Sequence, residues 1–410
     1  MENINDIDKN KCTGCMACSQ VCPVKAITCS QDEEGFYIPL IDAHKCVGCG
    51  RCFQRCPVNN DYLQEPPVDS SYIAQLKNSK LSKKSASGGA FIGIANWFLD
   101  KYKDGVVAGA AIGDDLVVRH YAVNDVGKLY KLQNTKYVQS CTDGIFSEIK
   151  GYLDSGRHVL FSGTPCQIAA LYAILDDSEK EKIITVDLVC HGVPSPEFLK
   201  RHVNYNSQFF NKEIYNYKFR VKKRYKSKGL YVMMMMVRNH LPVLRLARKD
   251  LYYHLFLDGL DFRESCYNCK YACVSRTGDF TIGDCDSQQC YPDFNPLLQN
   301  SIILLNSKKA RLFWNDGIKN LFLYEDLDLL REAEYNHQLK APFKRPEIRN
   351  EIYSQILKTD FEVLKNKYCG HEDKLDKYKL LVFLNLPDSV VQLFSKIIHF
   401  NNFKGENDNG

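Results

Sequence analysis

The stretch KCTGCMACSQVCP, residues 11–23, places four cysteines within thirteen residues. A second stretch, KCVGCGRCFQRCP, occupies residues 45–57. Every cysteine of the first stretch recurs 34 positions later: Cys12 as Cys46, Cys15 as Cys49, Cys18 as Cys52, and Cys22 as Cys56. A constant offset over four residues identifies an internal repeat. The two stretches therefore predict one small domain built from two similar halves.

The spacing in each stretch, C-x2-C-x2-C-x3-C-P, is that of bacterial ferredoxins, in which the fourth cysteine of each run binds the other cluster. We predict one 4Fe-4S cluster held by Cys12, Cys15, Cys18 and Cys56, and a second held by Cys46, Cys49, Cys52 and Cys22. Pairs of C-x2-C also bind zinc, but a zinc site does not need the third and fourth cysteine of each run. Residues 1–62 are therefore predicted to form a two-cluster ferredoxin domain.

Composition bounds the remaining possibilities. A chain of 410 residues exceeds what one core usually fills, so two or three domains are expected. Residues 1–10 are polar and lack an apolar leader, so the eighteen cysteines are expected to serve metal or redox chemistry in a reducing cytoplasm. The net charge of +5 is mild, and no nucleic-acid-binding module is visible.

Residues 63–84, with two prolines and a lysine-rich end, are predicted to be a linker. Beyond them, RHVLFSG followed by TPCQIAALYAIL and KIITVDLVC followed by HGVPSPEFLKRHV read as two strand-to-helix units. Alternating strands and helices predict a parallel α/β core. Cys166 and Cys190 then fall just past the carboxyl ends of two parallel strands, where open α/β sheets bind ligands.

Five motifs in this part of the chain occur in a fixed order: SASGGAF, TKYVQS, LFSGTPCQIA, VDLVCHGVPSP and CYNCKYACVSRTGDFTIGD. With them, residues 85–335 resemble the coenzyme F420 hydrogenase/dehydrogenase beta-subunit family. The resemblance implies an FAD and Fe-S domain with parts at 85–165 and 166–335. The predicted fold class is thus mixed α+β and α/β: a ferredoxin-like two-cluster domain, a mixed α/β flavin-binding domain, and a helical tail over 336–410.

Carried over by motif, the resemblance implies a third 4Fe-4S cluster held by Cys166, Cys190, Cys266 and Cys269. It implies FAD beside Ser87, Gly88 and Gly89 of SGGAF and beside Thr135, Lys136 and Tyr137 of TKY. Paired glycines admit close approach of the backbone, and a lysine suits a pyrophosphate. A self-contained zinc or cluster site made of Cys266, Cys269, Cys273 and Cys285 remains an alternative.

Cys166 also has an alternative role. A cysteine at a strand-to-helix turn, with His191 available, describes the nucleophile of a hydrolase or amidotransferase. If electron transfer to a substrate needs a proton donor, the candidates are His191, Asp187 and Asp284.

Two further segments bear on partners. Residues 218–229, KFRVKKRYKSKG, are strongly basic and fit a solvated hairpin arm, a docking surface for an acidic ferredoxin, or a seat for an anionic substrate. Residues 379–400 have apolar positions at helical spacing and predict an amphipathic helix that docks on the protein or contacts a membrane surface.

Together these features predict a cytoplasmic iron–sulfur flavoprotein that passes electrons through its clusters and FAD to a small organic substrate. Ferredoxin is the expected redox partner, and the resemblance includes bacterial proteins of cell-surface polysaccharide pathways. The alternative is an electron-transfer subunit whose catalytic partner is another chain.

Overall fold

The computed structural model describes residues 2–221, 231–294 and 299–370. The predicted C-terminal amphipathic helix and most of the basic stretch 218–229 lie outside the described residues. Within the described part, the strands are β1 (Ile27–Gln31), β2 (Tyr37–Ile41), β3 (Ser71–Leu76), β4 (Val106–Ile112), β5 (Val118–Val123), β6 (Val159–Gly163), β7 (Ile183–Leu188), β8 (Ile214–Lys218), β9 (Val232–Val237), β10 (Val243–Leu246), β11 (Phe280–Asp284), β12 (Ser301–Leu305) and β13 (Phe322–Asp326).

The α-helices of the described residues are α1 (Ala17–Gln20), α2 (Arg51–Gln54), α3 (Ser79–Lys83), α4 (Ala90–Lys101), α5 (Ile145–Asp154), α6 (Pro165–Ile174), α7 (Asp177–Lys182), α8 (Pro196–Phe210), α9 (Leu251–Leu257), α10 (Glu264–Tyr267), α11 (Lys308–Asn315), α12 (Leu329–Tyr335), α13 (Arg349–Lys358) and α14 (Phe361–Cys369). Short 3-10 helices lie at Ile4–Asp6, Val126–Lys131, Ala247–Lys249, Gln288–Cys290, Ile318–Leu321 and His337–Leu339.

An eight-stranded mixed sheet organises the main unit, with strand order β13-β3-β12-β11-β7-β6-β4-β5. Its centre, β11-β7-β6-β4, is parallel, and the strands on either side are antiparallel. All five residues of β6 are buried, as expected for a central strand covered on both faces. Leu160 packs in the core beneath α4, whereas the next residue, Phe161, packs with α5 and α6 on the opposite face. The predicted parallel α/β core is confirmed.

The carboxyl ends of the parallel strands meet at one edge of this sheet. β6 ends at Gly163, β7 at Leu188 and β11 at Asp284; Cys166 lies in the first turn of α6, just after β6, and Cys190 lies in the loop after β7. Because β6 and β7 are adjacent and parallel, the two cysteines emerge side by side, as the sequence predicted.

The predicted linker over 63–84 needs a correction. Residues 71–76 form β3, which lies inside the large sheet and pairs antiparallel with both β12 and β13. Ile73 and Ala74 are fully buried. The two prolines and the lysines that flank this strand masked a six-residue run, SYIAQL, that is apolar enough for an inner strand.

A second layer of the main unit is the antiparallel sheet β10-β9-β8, surrounded by α8, α9, α13 and α14. Met233 and Met235 of the methionine run point inward and are fully buried. A hydrogen-bonded ion pair connects this layer to the carboxyl edge of the large sheet. Arg220, just beyond β8, donates to Asp284, the last residue of β11.

The N-terminal unit, residues 2–62, contains the hairpin β1-β2 and two four-residue helices, α1 and α2. Gly14 and Gly48 both have φ of +65°, a left-handed conformation that glycine adopts without strain. At Gly14 the constraint is also steric, because a Cβ atom there would overlap the carbonyl oxygen of Tyr37.

Arg349, at the start of α13, joins the N-terminal unit to the main unit. Its side chain is 1% exposed, and its guanidinium donates to both carboxylate oxygens of Glu34 at 2.9 and 2.6 Å. It also donates to the Phe262 carbonyl at 2.8 Å and pairs with Glu264 at 2.8 Å. One buried cation thus holds three separate segments of the chain.

Replacing Arg349 by methionine should lower the free energy of unfolding by about 2–3 kcal/mol, because Glu34 and Glu264 lose the cation that compensates their burial. Thermal melting of anaerobically purified protein measures the effect. The control is Arg331→Met, since Arg331 pairs with Asp328 at the surface and should contribute less than about 0.5 kcal/mol. Equal melting temperatures for the two variants would contradict the assigned role of Arg349.

Candidate functional site

The structure brings four of the eight ferredoxin-type cysteines together at the first predicted cluster. Burial raises the pKa of the Cys18 thiol, and the neighbouring thiols of Cys15, Cys12 and Cys56 raise it further. Burial raises the pKa of Cys56 to about 12, with Cys15 and Cys12 contributing. Cys56 therefore lies with the first run although it belongs to the second, which is the arrangement that the crossed ligand assignment requires.

The second predicted group lies beside the first. Burial raises the pKa of Cys52, and the thiol of Cys49 contributes. Cys22 packs against the small core that contains Cys52, and its Sγ accepts a hydrogen bond from the Ala26 backbone N–H at 3.2 Å. Cys46 opens this run, one residue after Lys45.

The internal repeat begins before the first cysteine of each run. Asp8 and Asp42 occupy equivalent positions, four residues before Cys12 and Cys46. In each half the aspartate side chain accepts from the backbone N–H two residues on, and its carbonyl accepts from the cysteine N–H. The same Asx turn therefore presents both cysteine runs. The constant 34-residue offset of the two aspartates is the signal that could have revealed it.

A third group of cysteines converges in the main unit. Cys166, Cys190, Cys266 and Cys269 all line one cavity of about 70 Å³ at the carboxyl edge of the sheet. Cys166 enters from the first turn of α6 and Cys190 from the loop after β7. Burial raises the pKa of each of the four thiols, and for Cys190 the value reaches about 11. These are the four positions that the family resemblance implied.

The alternative site made of Cys266, Cys269, Cys273 and Cys285 does not assemble. Cys285 is fully buried in a different core, where its Sγ lies 3.7 Å from Glu332 Oε2. Cys273 is near Cys269, but its thiol donates to the Ser275 carbonyl at 3.2 Å. Across the described ranges, no three His, Cys, Asp or Glu side chains form a group suited to a single metal ion.

Cys15 connects the first and third cysteine groups, because it lines the same small cavity as Cys166 and Cys190. Its loop is held against the main unit by two side chains. Arg263 donates to the Cys12 carbonyl at 2.8 Å, and Thr142 donates to the Cys15 carbonyl at 3.0 Å. The buried ring of Tyr271 lies among thiols of both groups. Burial raises the pKa of its hydroxyl, and these thiols raise it further.

A larger cavity of about 430 Å³ adjoins the small one, and Cys190 and His191 line both. Of the residues predicted to contact FAD, Ser87, Gly89, Thr135, Lys136 and Tyr137 line this large cavity. Gly88 does not. Its N–H donates to Ser301 Oγ at 2.8 Å, and an added Cβ atom would overlap the Ala74 carbonyl oxygen. Gly88 is thus needed for close packing of the loop on β3 and β12.

The predicted role of Lys136 is also corrected by its contacts. Its ammonium group donates to the carbonyl oxygens of Leu132, Gln133 and Asn134 at 3.0, 2.7 and 3.1 Å. These bonds use all three N–H donors. Lys136 therefore fixes the loop that presents Thr135 and Tyr137, rather than offering its charge to a pyrophosphate.

The three candidate proton donors fall into different settings. His191 lines both cavities, and burial lowers its pKa to about 4, so the ring is neutral near pH 7. Asp284 lines the large cavity and accepts from Arg220 Nη1 at 2.6 Å. Asp187 is fully buried and accepts from the N–H groups of Thr277 and Gly278 and from Arg276. Asp187 is therefore a structural anchor, and it lines neither cavity.

The geometry around Cys166 does not favour a nucleophile. Burial and the thiols of Cys190, Cys269 and Cys266 raise its pKa, whereas an activated cysteine needs a lowered one. The hydroxyl of Thr164 is its hydrogen-bonding neighbour, at 3.1 Å.

Comparison with known proteins supports the class that the cysteine groups define. Residues 11–60 and 38–90 each match a 4Fe-4S dicluster domain model. Residues 156–326 match the model that describes the C terminus of the beta subunit in coenzyme F420 hydrogenase/dehydrogenase. Both resemblances drawn from the motifs are thereby confirmed. The chain is an iron–sulfur protein that joins a dicluster region to a region of this beta-subunit type.

One solved structure that resembles the chain comes from a study of xenon derivatization of the F420-reducing NiFe hydrogenase complex from Methanosarcina barkeri. The matching chain is 17% identical, and the alignment covers 70% of this chain and 98% of that chain with a TM-score of 0.44. No curated protein matches the sequence. Among the helices of the described residues, none has the length and apolarity needed to span a bilayer.

His120 also lines the large cavity, and the dependence of protein stability on pH tests its neutral, buried state. Burial lowers its pKa to about 4, against about 6.5 for an unfolded chain. Between these pH values the unfolded state binds the extra proton, so stability falls as the pH falls. At pH 5.5 the loss should be about 1.2 kcal/mol relative to pH 7. His120→Gln, which can still donate to the Ser162 carbonyl, should remove that share of the loss.

Melting temperatures at pH 7 and 5.5 for the wild type, His120→Gln and the exposed control His240→Gln provide the measurement. An H120Q variant that destabilises on acidification as steeply as the wild type would contradict the neutral, buried state of this ring.

Proposed function

We propose that this protein is an iron–sulfur electron-transfer protein that carries single electrons between a redox partner protein and a flavin site in the large cavity. The observation that carries the proposal is the continuity of the cysteine groups. Cys15 of the N-terminal unit lines the same small cavity as Cys166, Cys190, Cys266 and Cys269, and Cys190 also lines the large cavity.

The residues fit the clusters that this function requires. Cubane irons prefer thiolate ligands, and each proposed set offers four cysteines. Burial disfavours a free thiolate at every one of the third-group cysteines. Bound iron compensates that cost, because a coordinated thiol is deprotonated outright.

The large cavity also supports a flavin. Its wall contains Thr135 Oγ1, a buried hydroxyl with no hydrogen-bond partner among the residues the structure describes. Tyr137 stacks on Phe256 with ring centroids 4.4 Å apart, which gives a planar, apolar surface beside it. Gly89 also lines this cavity, and its φ of +82° is a left-handed conformation that glycine adopts without strain. Bound clusters would supply one-electron transfer, and a bound FAD would convert between one-electron and two-electron chemistry.

The chain's own residues have three tasks in this scheme. Arg263 and Thr142 fix the Cys12–Cys15 loop against the third cysteine group. Lys136 shapes the loop that carries Thr135 and Tyr137. The neutral ring of His191 packs against Phe256, Phe262 and Phe343. It lies between the two cavities and limits the entry of water.

The partner contact is proposed at the second cysteine group. Val47, beside Cys46, is 63% exposed, and the space around Gly48 is open. The equivalent loop of the first group is covered by the main unit. Electrons would therefore pass between the partner and the second group, and between the first group and the main unit. Whether the electrons end on a small organic substrate in the large cavity or on a further subunit is decided by experiment.

Anaerobically purified protein should contain about twelve irons and one flavin per chain if all three clusters and the flavin are present. Iron, sulfide and flavin quantification on the same sample is the measurement. Eight irons without flavin would retain the N-terminal clusters and overturn the role proposed for the main unit.

Replacing Cys269 by alanine should lower the iron content from about twelve to about eight, because the third cluster loses a ligand. Cys285→Ala is the matched control, since Cys285 is buried but lies in another core, and it should retain all the iron. Loss of the same four irons from the C285A variant would favour the self-contained site instead.

A further inference from the structure

Arg220 is a buried cation in the wall of the large cavity. Its side chain is 5% exposed, and it lies between the three-stranded sheet and the carboxyl edge of the large sheet. Backbone pairing continues past β8 to this point, because the Val221 N–H donates to the Val232 carbonyl at 2.8 Å. Backbone hydrogen bonds to β9 therefore hold the chain on both sides of Arg220.

Only one side of the Arg220 guanidinium is engaged by the described protein. Nη1 donates to Asp284 Oδ2 at 2.6 Å. Nε and Nη2 are buried and have no hydrogen-bond partner within residues 2–221, 231–294 and 299–370. Nε–H and one N–H of Nη2 lie in the plane of the guanidinium and point in the same direction. Together they form the fork that binds both oxygens of a carboxylate or phosphate.

The setting of this fork selects for an organic anion. The guanidinium stacks over the ring of Tyr231, with 5.1 Å to the ring centroid. Tyr253 lies next to Tyr231 and meets Tyr137 edge to face at 5.4 Å. All four side chains line the large cavity. The cavity thus combines an aromatic wall, which suits a planar ligand, with the two N–H donors of Arg220, which suit an acidic group on that ligand.

We propose that Arg220 binds an oxyanion, a carboxylate or a phosphate, of the molecule that occupies the large cavity, through its Nε and Nη2 groups. Asp284 holds the guanidinium in the orientation that presents this edge. The charge of Asp284 also balances that of Arg220, so selection comes from the geometry of the two donors more than from net charge. The inference rests on the proposed function only in placing the occupant in the same cavity.

Ligand binding to cluster-loaded, anaerobically purified protein tests the proposal. Isothermal titration calorimetry compares benzoate, phenyl phosphate and benzamide, which share one ring and differ in the group that would meet the fork. Benzoate or phenyl phosphate should bind the wild type at least about tenfold more tightly than neutral benzamide. Arg220→Lys, which keeps the charge but not the fork, should lose that preference.

The matched control is Arg238→Lys, since Arg238 pairs with Glu213 on the exposed surface and lines neither cavity. It should bind all three probes as the wild type does. An R220K variant that retains the preference would overturn the proposal. Equal affinity of the wild type for benzoate, phenyl phosphate and benzamide would overturn it without any variant, so misfolding of R220K leaves the test intact.

The same samples separate the two sources of the oxyanion. Preference for phenyl phosphate, with loss of bound flavin from R220K, assigns the fork to a phosphate of the cofactor. Preference for benzoate, with flavin retained, assigns it to the carboxylate of an exchanging substrate. Iron and flavin contents of the wild type test the proposed function independently, so failure of one conclusion is distinguishable from failure of the other.

Discussion

The buried carboxylate of Asp187 makes the contacts on which the arrangement of the third cysteine group depends. Asp187 stands near the end of β7, three residues before Cys190, and accepts from the N–H groups of Thr277 and Gly278 at 3.0 and 2.8 Å. Arg276 pairs with it and also donates to the carbonyl oxygens of Tyr271 and Cys273. The segment that carries Cys266 and Cys269 is thereby fixed to the strand that delivers Cys190. Removing either charge would leave its partner buried and uncompensated.

The parts of the fold that the sequence predicted are those with a strong local signal. The 34-residue offset revealed the two halves of the N-terminal unit, and the runs RHVLFSG and KIITVDLVC revealed β6 and β7. The strand β3 was missed because its signal is not local. SYIAQL is short and sits between a Pro-Pro pair and a lysine-rich segment, and it becomes an inner strand only through pairing with β12 and β13, more than 200 residues away.

The same distinction explains the site. The sequence motifs identified residues that line the two cavities. This was possible because the type of a residue and its position along the chain decide whether its side chain reaches the carboxyl edge of the large sheet. They could not assign roles that depend on distant partners. Lys136 turns to the carbonyls of its own loop, Gly88 packs against Ser301, and Asp187 meets Arg276. Arg220 was hidden for the same reason. In the sequence it is one of seven basic residues in a row of twelve, and only the fold separates it from the others by burying it beside Asp284.

The repeat shows how one local structure acquires two different surroundings. Gly14 and Gly48 are equivalent, share a φ of +65°, and follow Asx turns made by equivalent aspartates. Yet an added Cβ atom at Gly14 would meet Tyr37, Gln139 and Arg263, whereas one at Gly48 would have no atom of the described residues within 4 Å. Tyr37 belongs to the N-terminal unit, whereas Gln139 and Arg263 belong to the main unit, so docking of the main unit adds to the difference between the halves. A protein sets the reduction potentials of its clusters partly through burial and nearby charge. Two runs with the same cysteine spacing therefore present different environments, one against the third cysteine group and one towards solvent.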